Sequence, residues 1–122
     1  MSATDVSQKN DKRRPSRTPF EIIVDENSKP PLLGLKGDVD VAVAEKLHEQ
    51  LNRLVKTGYT QLTIDCHQVT YFDSTGLSEL VWVVNHMPEG KVKLVGCSAR
   101  LIKLLDVTGL KSVFDLVVPE AA

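Results

Sequence analysis

From Phe20 onward the spacing of apolar positions changes in step along the chain. Short apolar runs alternate with stretches where apolar residues recur every three or four positions. Phe20–Val24 reads as a strand, and Asp25-Glu26-Asn27-Ser28 supplies turn chemistry after it. Leu32 to Leu35, preceded by Pro30-Pro31 and closed by Gly37, reads as a second strand, so the first pair forms a candidate antiparallel hairpin. Val43, Ala44, Leu47, Leu51 and Leu54 then share one helical face, with Glu45, Glu49, Arg53 and Lys56 off it. The spacing predicts a helix over roughly 41–56, with Asp38 and Asp40 offering N-cap oxygens and Gly58 ending it.

Gln61–Asp65, Val92–Val95 and Val113–Val118 read as three further strands, and helices of about 13 and 9 residues fill the intervals by the same periodicity. In the second helix, helical from Ser78 to Met87 by pattern, Leu77, Leu80, Val81, Val84 and Met87 fall on one face. Trp82 falls nearly opposite, with Ser78, Glu79 and His86. Strands alternating with helices of this length require crossover connections, hence a mostly parallel sheet. Right-handed crossovers place successive helices on one face when strand order does not reverse. The expected fold is a single α/β domain: a mixed, mostly parallel sheet of about five strands with helices mainly on one face.

Composition narrows what such a domain does. At 122 residues there is room for one domain, hardly for a buried cleft between two. Net charge is −1, which argues against direct nucleic-acid binding as the main role. Residues 1–19 hold five Lys or Arg against two Asp, so the remainder carries 10 basic and 14 acidic side chains, a net of −4. That segment lacks apolar periodicity and is interrupted by Pro15 and Pro19, so 1–19 reads as a disordered basic tail and 20–122 as the domain. The tail is either a solvated leader or a basic arm touching RNA, membrane or an acidic partner. No signal-peptide core or membrane-span-length apolar run is present, and Cys66 and Cys97 form no CxxC or metal-ligand spacing, so a reduced, cytoplasmic protein is expected. His48, His67 and His86 are scattered, and Asp65 and Asp73 have no His, Lys or metal cluster beside them in sequence, so catalysis is not expected.

The informative stretch is Asp73-Ser74-Thr75-Gly76-Leu77, lying between Val69-Thr70-Tyr71-Phe72 and the second helix. Asp, Ser and Thr ahead of an amphipathic run are N-cap chemistry, and a self-capping helix start is one complete reading. The same geometry tolerates an anion, because a helix N-terminus presents unpaired N–H groups and about half a positive charge. A phosphate on Ser74 would add roughly −1.5 to −2 charges there, opposed by Asp73.

Asp73-Ser74-Thr75-Gly76-Leu77 resembles the phosphorylation segment of the STAS domains of bacterial anti-sigma factor antagonists. Gly37-Asp38-Val39-Asp40, Leu62-Thr63-Ile64-Asp65 and Val107-Thr108-Gly109-Leu110 with Val113-Phe114 resemble other segments of that family, in the expected order across about residues 20 to 118. The resemblance implies that Ser74 is the phosphoacceptor, with Thr75 second, and that the chain is a regulator rather than an enzyme. It implies that the unmodified form binds an anti-sigma factor that is itself a GHKL-type, ATP-dependent serine kinase, releasing the sigma factor. Phosphorylation then breaks the complex and a PP2C-type phosphatase restores it. The nucleotide belongs to the partner, so no cofactor is expected here; Gly34 and Gly37 make no phosphate-binding loop.

The partner surface implied comprises Asp38, Asp40, Asp73, Ser74, Thr75, Gly76, Ser78 and Trp82. Asp38 and Asp40 enter as part of its rim and Trp82 as a candidate anchor, since Trp is enriched in interface hot spots. Trp82 could equally lie under a loop or be a lone surface aromatic. Two features depart from the family: Ser78 stands where members often have Gly, and the chain stops at Pro119-Glu120-Ala121-Ala122 where many continue into a further helix. Stand-alone STAS proteins also serve as subunits of ABC-type lipid-transport complexes, which is the alternative role. Such proteins resemble this chain less around the Ser-Thr pair.

Overall fold

The computed structural model describes residues 18–117. The elements run β1 (Glu21–Asp25), β2 (Leu32–Val39), α1 (Ala44–Thr57), β3 (Gln61–Phe72), α2 (Ser74–His86), β4 (Lys91–Val95), α3 (Ala99–Val107), a 3-10 turn (Lys111–Val113) and β5 (Asp115–Val117). They build one five-stranded sheet in the order β1-β2-β3-β4-β5. The β1–β2 hairpin is antiparallel and every later pair is parallel. Each parallel link carries one helix, and the strand order never reverses, so the three helices share a face.

Strand pleat sorts the sheet residues between that face and the other. Leu33, Leu35, Leu62, Ile64, Val92 and Leu94 are buried beneath the helices. Their neighbours Leu32, Gly34, Thr63 and Asp65 are half-buried, and Lys91 and Lys93 are exposed, on the uncovered side. On α1 the predicted stripe holds: Val43, Ala44, Leu47, Leu51 and Leu54 are all buried. Full burial of each such leucine contributes about 1.5–3 kcal/mol relative to exposure. Gly58 closes α1 in the left-handed region at φ 104°.

Several boundaries differ from the pattern reading, among them α2, which starts at Ser74 rather than Ser78 because Asp73 caps it. β2 does not stop at Gly37 but runs on to Val39. Gly37 has φ 88°, and a Cβ there would overlap the Pro19 carbonyl, so only glycine lets the chain before β1 lie across this point. β3 continues to Phe72 because two irregularities in its pairing with β2 absorb an extra residue each, at Cys66–His67 and at Thr70. Those extra residues break the alternation, leaving His67 and Gln68 exposed in succession, which hid the second half of the strand. α1 starts at Ala44 rather than 41, after a turn over Val41–Val43. Val113 lies in the 3-10 turn, and β5 is limited to Asp115–Val117 within the described residues.

Thr18 and Pro19 already lie against β2: the Asp38 N–H donates to the Thr18 carbonyl (3.1 Å), and the Thr18 N–H donates to the Asp38 carboxylate Oδ2 (3.2 Å). The rest of the basic tail (1–17), Val118 and the C-terminal Pro119-Glu120-Ala121-Ala122 lie outside the described residues.

Candidate functional site

Ser74 opens α2 just beyond the C-terminal end of β3, the central strand, where the chain crosses onto the helical face of the sheet. Asp73 is the N-cap, in extended conformation, and its Oδ1 accepts the N–H groups of Thr75 (3.0 Å) and Gly76 (3.1 Å). The cap is therefore Asp73 alone, and its carboxylate already occupies the anion position that a helix start offers. A phosphate on Ser74 would find those two donors taken and would face outward beside a like charge. Backbone bonds hold the corner rigidly: Asp73 N–H donates to Val39 O (3.2 Å) and Leu77 N–H to Asp73 O (3.0 Å).

Around that corner the hydroxyls differ in access. Ser74 is exposed and Thr75 half-buried. Ser78, one turn along and exposed, donates its hydroxyl to the Ser74 carbonyl (3.0 Å). Replacing the cap tests this account. Asp73→Ala should lower unfolding free energy by about 1 kcal/mol in urea denaturation, the usual cost of losing an Asp cap; an unchanged midpoint would show that the cap bonds contribute nothing.

Three residues expected on the partner surface are placed otherwise. Gly76 is buried: a Cβ there would stand 2.8 Å from Val39 Cγ1, 3.0 Å from Phe72 Cε1 and 3.2 Å from Val39 O. Its smallness seats α2 on the ends of β2 and β3. Asp38 and Asp40 are 3% and 5% exposed. Neither caps α1, whose N-cap Val43 has no side-chain hydrogen bond. Asp38 sits within β2 and accepts from the Thr70 hydroxyl (2.6 Å) and Thr18 N–H, tying three segments together under the corner. Asp40 Oδ1 accepts the Ala42 N–H (3.0 Å) and shapes the turn before α1.

Trp82 is not a free surface aromatic. It packs against the core and lies between two imidazoles: His48 of α1 at 4.5 Å between ring centres, and His86 at 4.1 Å and stacked within 19°. His48 Nδ1 also meets Glu79 Oε1 at 2.7 Å. Two helices lying side by side on one sheet bury their flanks as well as their undersides, so α2 buries Leu77, Leu80, Val83 and Met87 while Val81, Trp82 and Val84 are partly covered. The pattern reading left out Val83 and read the histidines as scattered. His48 and His86 in fact converge on Trp82, whereas His67 bonds Asp65 on its own strand (2.8 Å).

One residue at the corner escaped the sequence. Val41 is 72% exposed, in the turn two residues beyond Val39, whose carbonyl accepts the Asp73 N–H. The periodicity placed it inside a helix; no local signal marks it as a loop residue.

Among the described residues, no group of three or more His, Cys, Asp or Glu side chains is placed to hold a metal ion, and no helix is long and apolar enough to cross a membrane. What the fold and corner define is a small α/β domain presenting an exposed hydroxyl at a rigid helix start. The STAS domain family model matches residues 21–121, and the chain belongs to that family. It is 37% identical over 99 residues to the anti-sigma-B factor antagonist of Bacillus subtilis, covering 80% of this chain and 90% of that protein.

Solved structures agree on the fold. An anti-sigma factor antagonist from Mycobacterium paratuberculosis superposes with a TM-score of 0.75 at 20% identity, over 84% of this chain and 88% of that one. The unphosphorylated form of the anti-sigma factor antagonist SpoIIAA superposes at 0.69 with 15% identity, over 82% and 90%. Its phosphorylated form from Bacillus gives 0.65 at 15%, over 82% and 94%.

Proposed function

We propose that this chain is a partner-switching anti-sigma factor antagonist controlled at Ser74. Unphosphorylated, it binds an anti-sigma factor that is a GHKL-type serine kinase and frees the sigma factor. The partner then transfers the γ-phosphoryl group of its ATP to Ser74 Oγ; the hydroxyl proton leaves to the partner's base and ADP remains. The complex parts, and a PP2C-type phosphatase returns the hydroxyl by hydrolysis. The observation that carries the reading is the contrast at the start of α2: Ser74 projects into solvent while Thr75 is half-buried. Relatives named as anti-sigma-B factor antagonists support the circuit, as does a structural neighbour solved both with and without phosphate.

The partner surface in this reading is the exposed rim of the corner: Val41, Ser74 and Ser78 with the outer edge of Thr75 and Asp73. Asp38 and Asp40 act from beneath by holding the corner's shape, and Trp82 acts by fixing α2 against α1. Incubating the chain with a candidate kinase and ATP, then mapping phosphopeptides, should give one phosphate on Ser74, none in a Ser74→Ala protein. Phosphate on Thr75 instead would move the switch by one residue. No modification by a kinase that is demonstrably active and bound would overturn the proposal.

A further inference from the structure

The basic tail joins the domain at the switch corner. Glu21 of β1 pairs with Lys36 of β2, and the segment before β1 keeps to that line, because the Asp38 N–H donates to the Thr18 carbonyl (3.1 Å). On the other flank of β2, Asp38 pairs with Tyr71 of β3, and the next residue, Val39, accepts the Asp73 N–H (3.2 Å). Consecutive residues of one strand therefore hold Thr18 and Asp73, one on each side. Two strand spacings separate them, about 10 Å. The Asp38 carboxylate bridges the same gap: Oδ2 accepts the Thr18 N–H (3.2 Å) and Oδ1 the Thr70 hydroxyl (2.6 Å). Gly37, at φ 88°, has the Pro19 carbonyl so close that no Cβ fits between them.

Charge does not balance within the corner itself. Residues 37–43 and 70–78, which build it, hold Asp38, Asp40 and Asp73 and neither Lys nor Arg. A phosphate on Ser74 adds roughly −1.5 to −2 charges. The donors that a helix start would offer it, the Thr75 and Gly76 N–H groups, are taken by Asp73 Oδ1. Residues 9–17 hold Lys9, Lys12, Arg13, Arg14 and Arg17 against Asp11 alone, and the chain carries them directly into Thr18. An extended residue spans at most about 3.3–3.6 Å, so about three residues of chain cover the gap from Thr18 to Asp73. A tether this short presents its groups at about millimolar effective concentration.

We propose that the basic tail is the chain's own acceptor for a phosphate on Ser74: Arg17, Arg14 and Arg13 close over the end of β2 and pair with its oxygens. The inference rests on Ser74 as the phosphoacceptor. Guanidinium groups suit the task because their planar donor pairs match phosphate oxygens two at a time. Ser74 itself carries no charge before modification, so phosphorylation is what closes the latch. Once closed, the latch lies over the rim that a partner would cover and shields the phosphoester from hydrolysis.

The test installs the phosphate directly, by incorporating Ser74 as phosphoserine during synthesis of the full chain, so the outcome depends on no kinase. The comparison chain carries Arg13→Gln, Arg14→Gln and Arg17→Gln together. Alkaline phosphatase should release phosphate about fivefold more slowly from the chain with its own tail, as two exposed ion pairs of ordinary strength allow. The phosphorus NMR resonance should titrate at lower pH than in the triple variant, because nearby cations favour the dianion. Both differences should shrink at about 1 M NaCl, where the screening length falls to about 3 Å. A phosphate placed instead on Ser112, exposed just before β5 at the opposite end of the parallel strands, should show neither difference. Equal release rates and equal titration in the two Ser74 chains would overturn the proposal, as would the same differences at Ser112. A kinase that leaves Ser74 unmodified would sink the switch reading, a result separable from this one.

Discussion

A Ser74→Asp protein should fold with the stability of the unmodified chain and bind the anti-sigma kinase about 100-fold more weakly. The first half follows from placement: Ser74 is exposed, and it joins the corner through its carbonyl, which accepts the Ser78 hydroxyl. Surface substitutions of this kind stay within about 0.5 kcal/mol. A carboxylate in the first turn gains about 0.3–1 kcal/mol from the helix dipole, and the adjacent Asp73 offsets part of that. The second half follows from contact. A kinase that phosphorylates Ser74 must close tightly over it, and a misplaced like charge in such a contact costs several kcal/mol. At about 1.4 kcal/mol per tenfold, a loss near 3 kcal/mol gives the stated factor. Phosphate, with roughly −1.5 to −2 charges, should weaken binding further. Titration calorimetry checks the affinity and thermal melting the fold; binding within threefold of the unmodified chain would remove charge as the mechanism of release.

Gly76→Val should destabilise the domain by about 3 kcal/mol, at the upper end for overpacking a tight site. Its first added carbon already stands 2.8 Å from Val39 Cγ1 and 3.0 Å from Phe72 Cε1, and neither neighbour has open space to retreat into, since both are buried. The two further methyl carbons of valine leave α2 no option but to lift from the ends of β2 and β3. Gly76→Ala should lose less, about 1–2 kcal/mol, because alanine's better helix propensity returns up to about 1 kcal/mol. Urea denaturation measures both. A valine variant as stable as the original chain would mean that α2 moves freely over the sheet end, and the rigid presentation of Ser74 would go with it.

These two substitutions sit two residues apart and act through different physics, which a sequence motif does not separate. The Asp-Ser-Thr-Gly-Leu segment marked the corner correctly as a helix start. It could not sort its members, because capping, seating and exposure all favour small or polar residues in the same stretch. Only the packing of α2 on Val39 and Phe72 turned Gly76 inward and left Ser74 out. The acidic pair before α1 shows the same limit. Asp38 and Asp40 stand where N-cap residues often stand, yet β2 runs past Gly37 and carries Asp38 into the sheet, against Thr70 and Thr18. Contacts 20 and 32 residues apart in sequence leave no local trace.

Trp82 makes the point from the other side. A helical wheel assumes one buried face, and α2 has a neighbour helix as well as a sheet, so Trp82 lies against His48 and His86 instead of standing clear.

The sequence by itself determined the order of strands and helices, the hairpin at the start, the stripe of α1, and the lengths of α2 and α3. Those follow from periodicity and turn chemistry, which are local and repeat over many residues. Tertiary structure alone decided which polar groups of the corner are buried and where β3 ends. Each of these depends on register between strands, and register is set by the pairing of whole surfaces rather than by any one segment. Ser74 thus owes its place in the chain to local capping chemistry, and its exposure to the way α2 seats on the sheet.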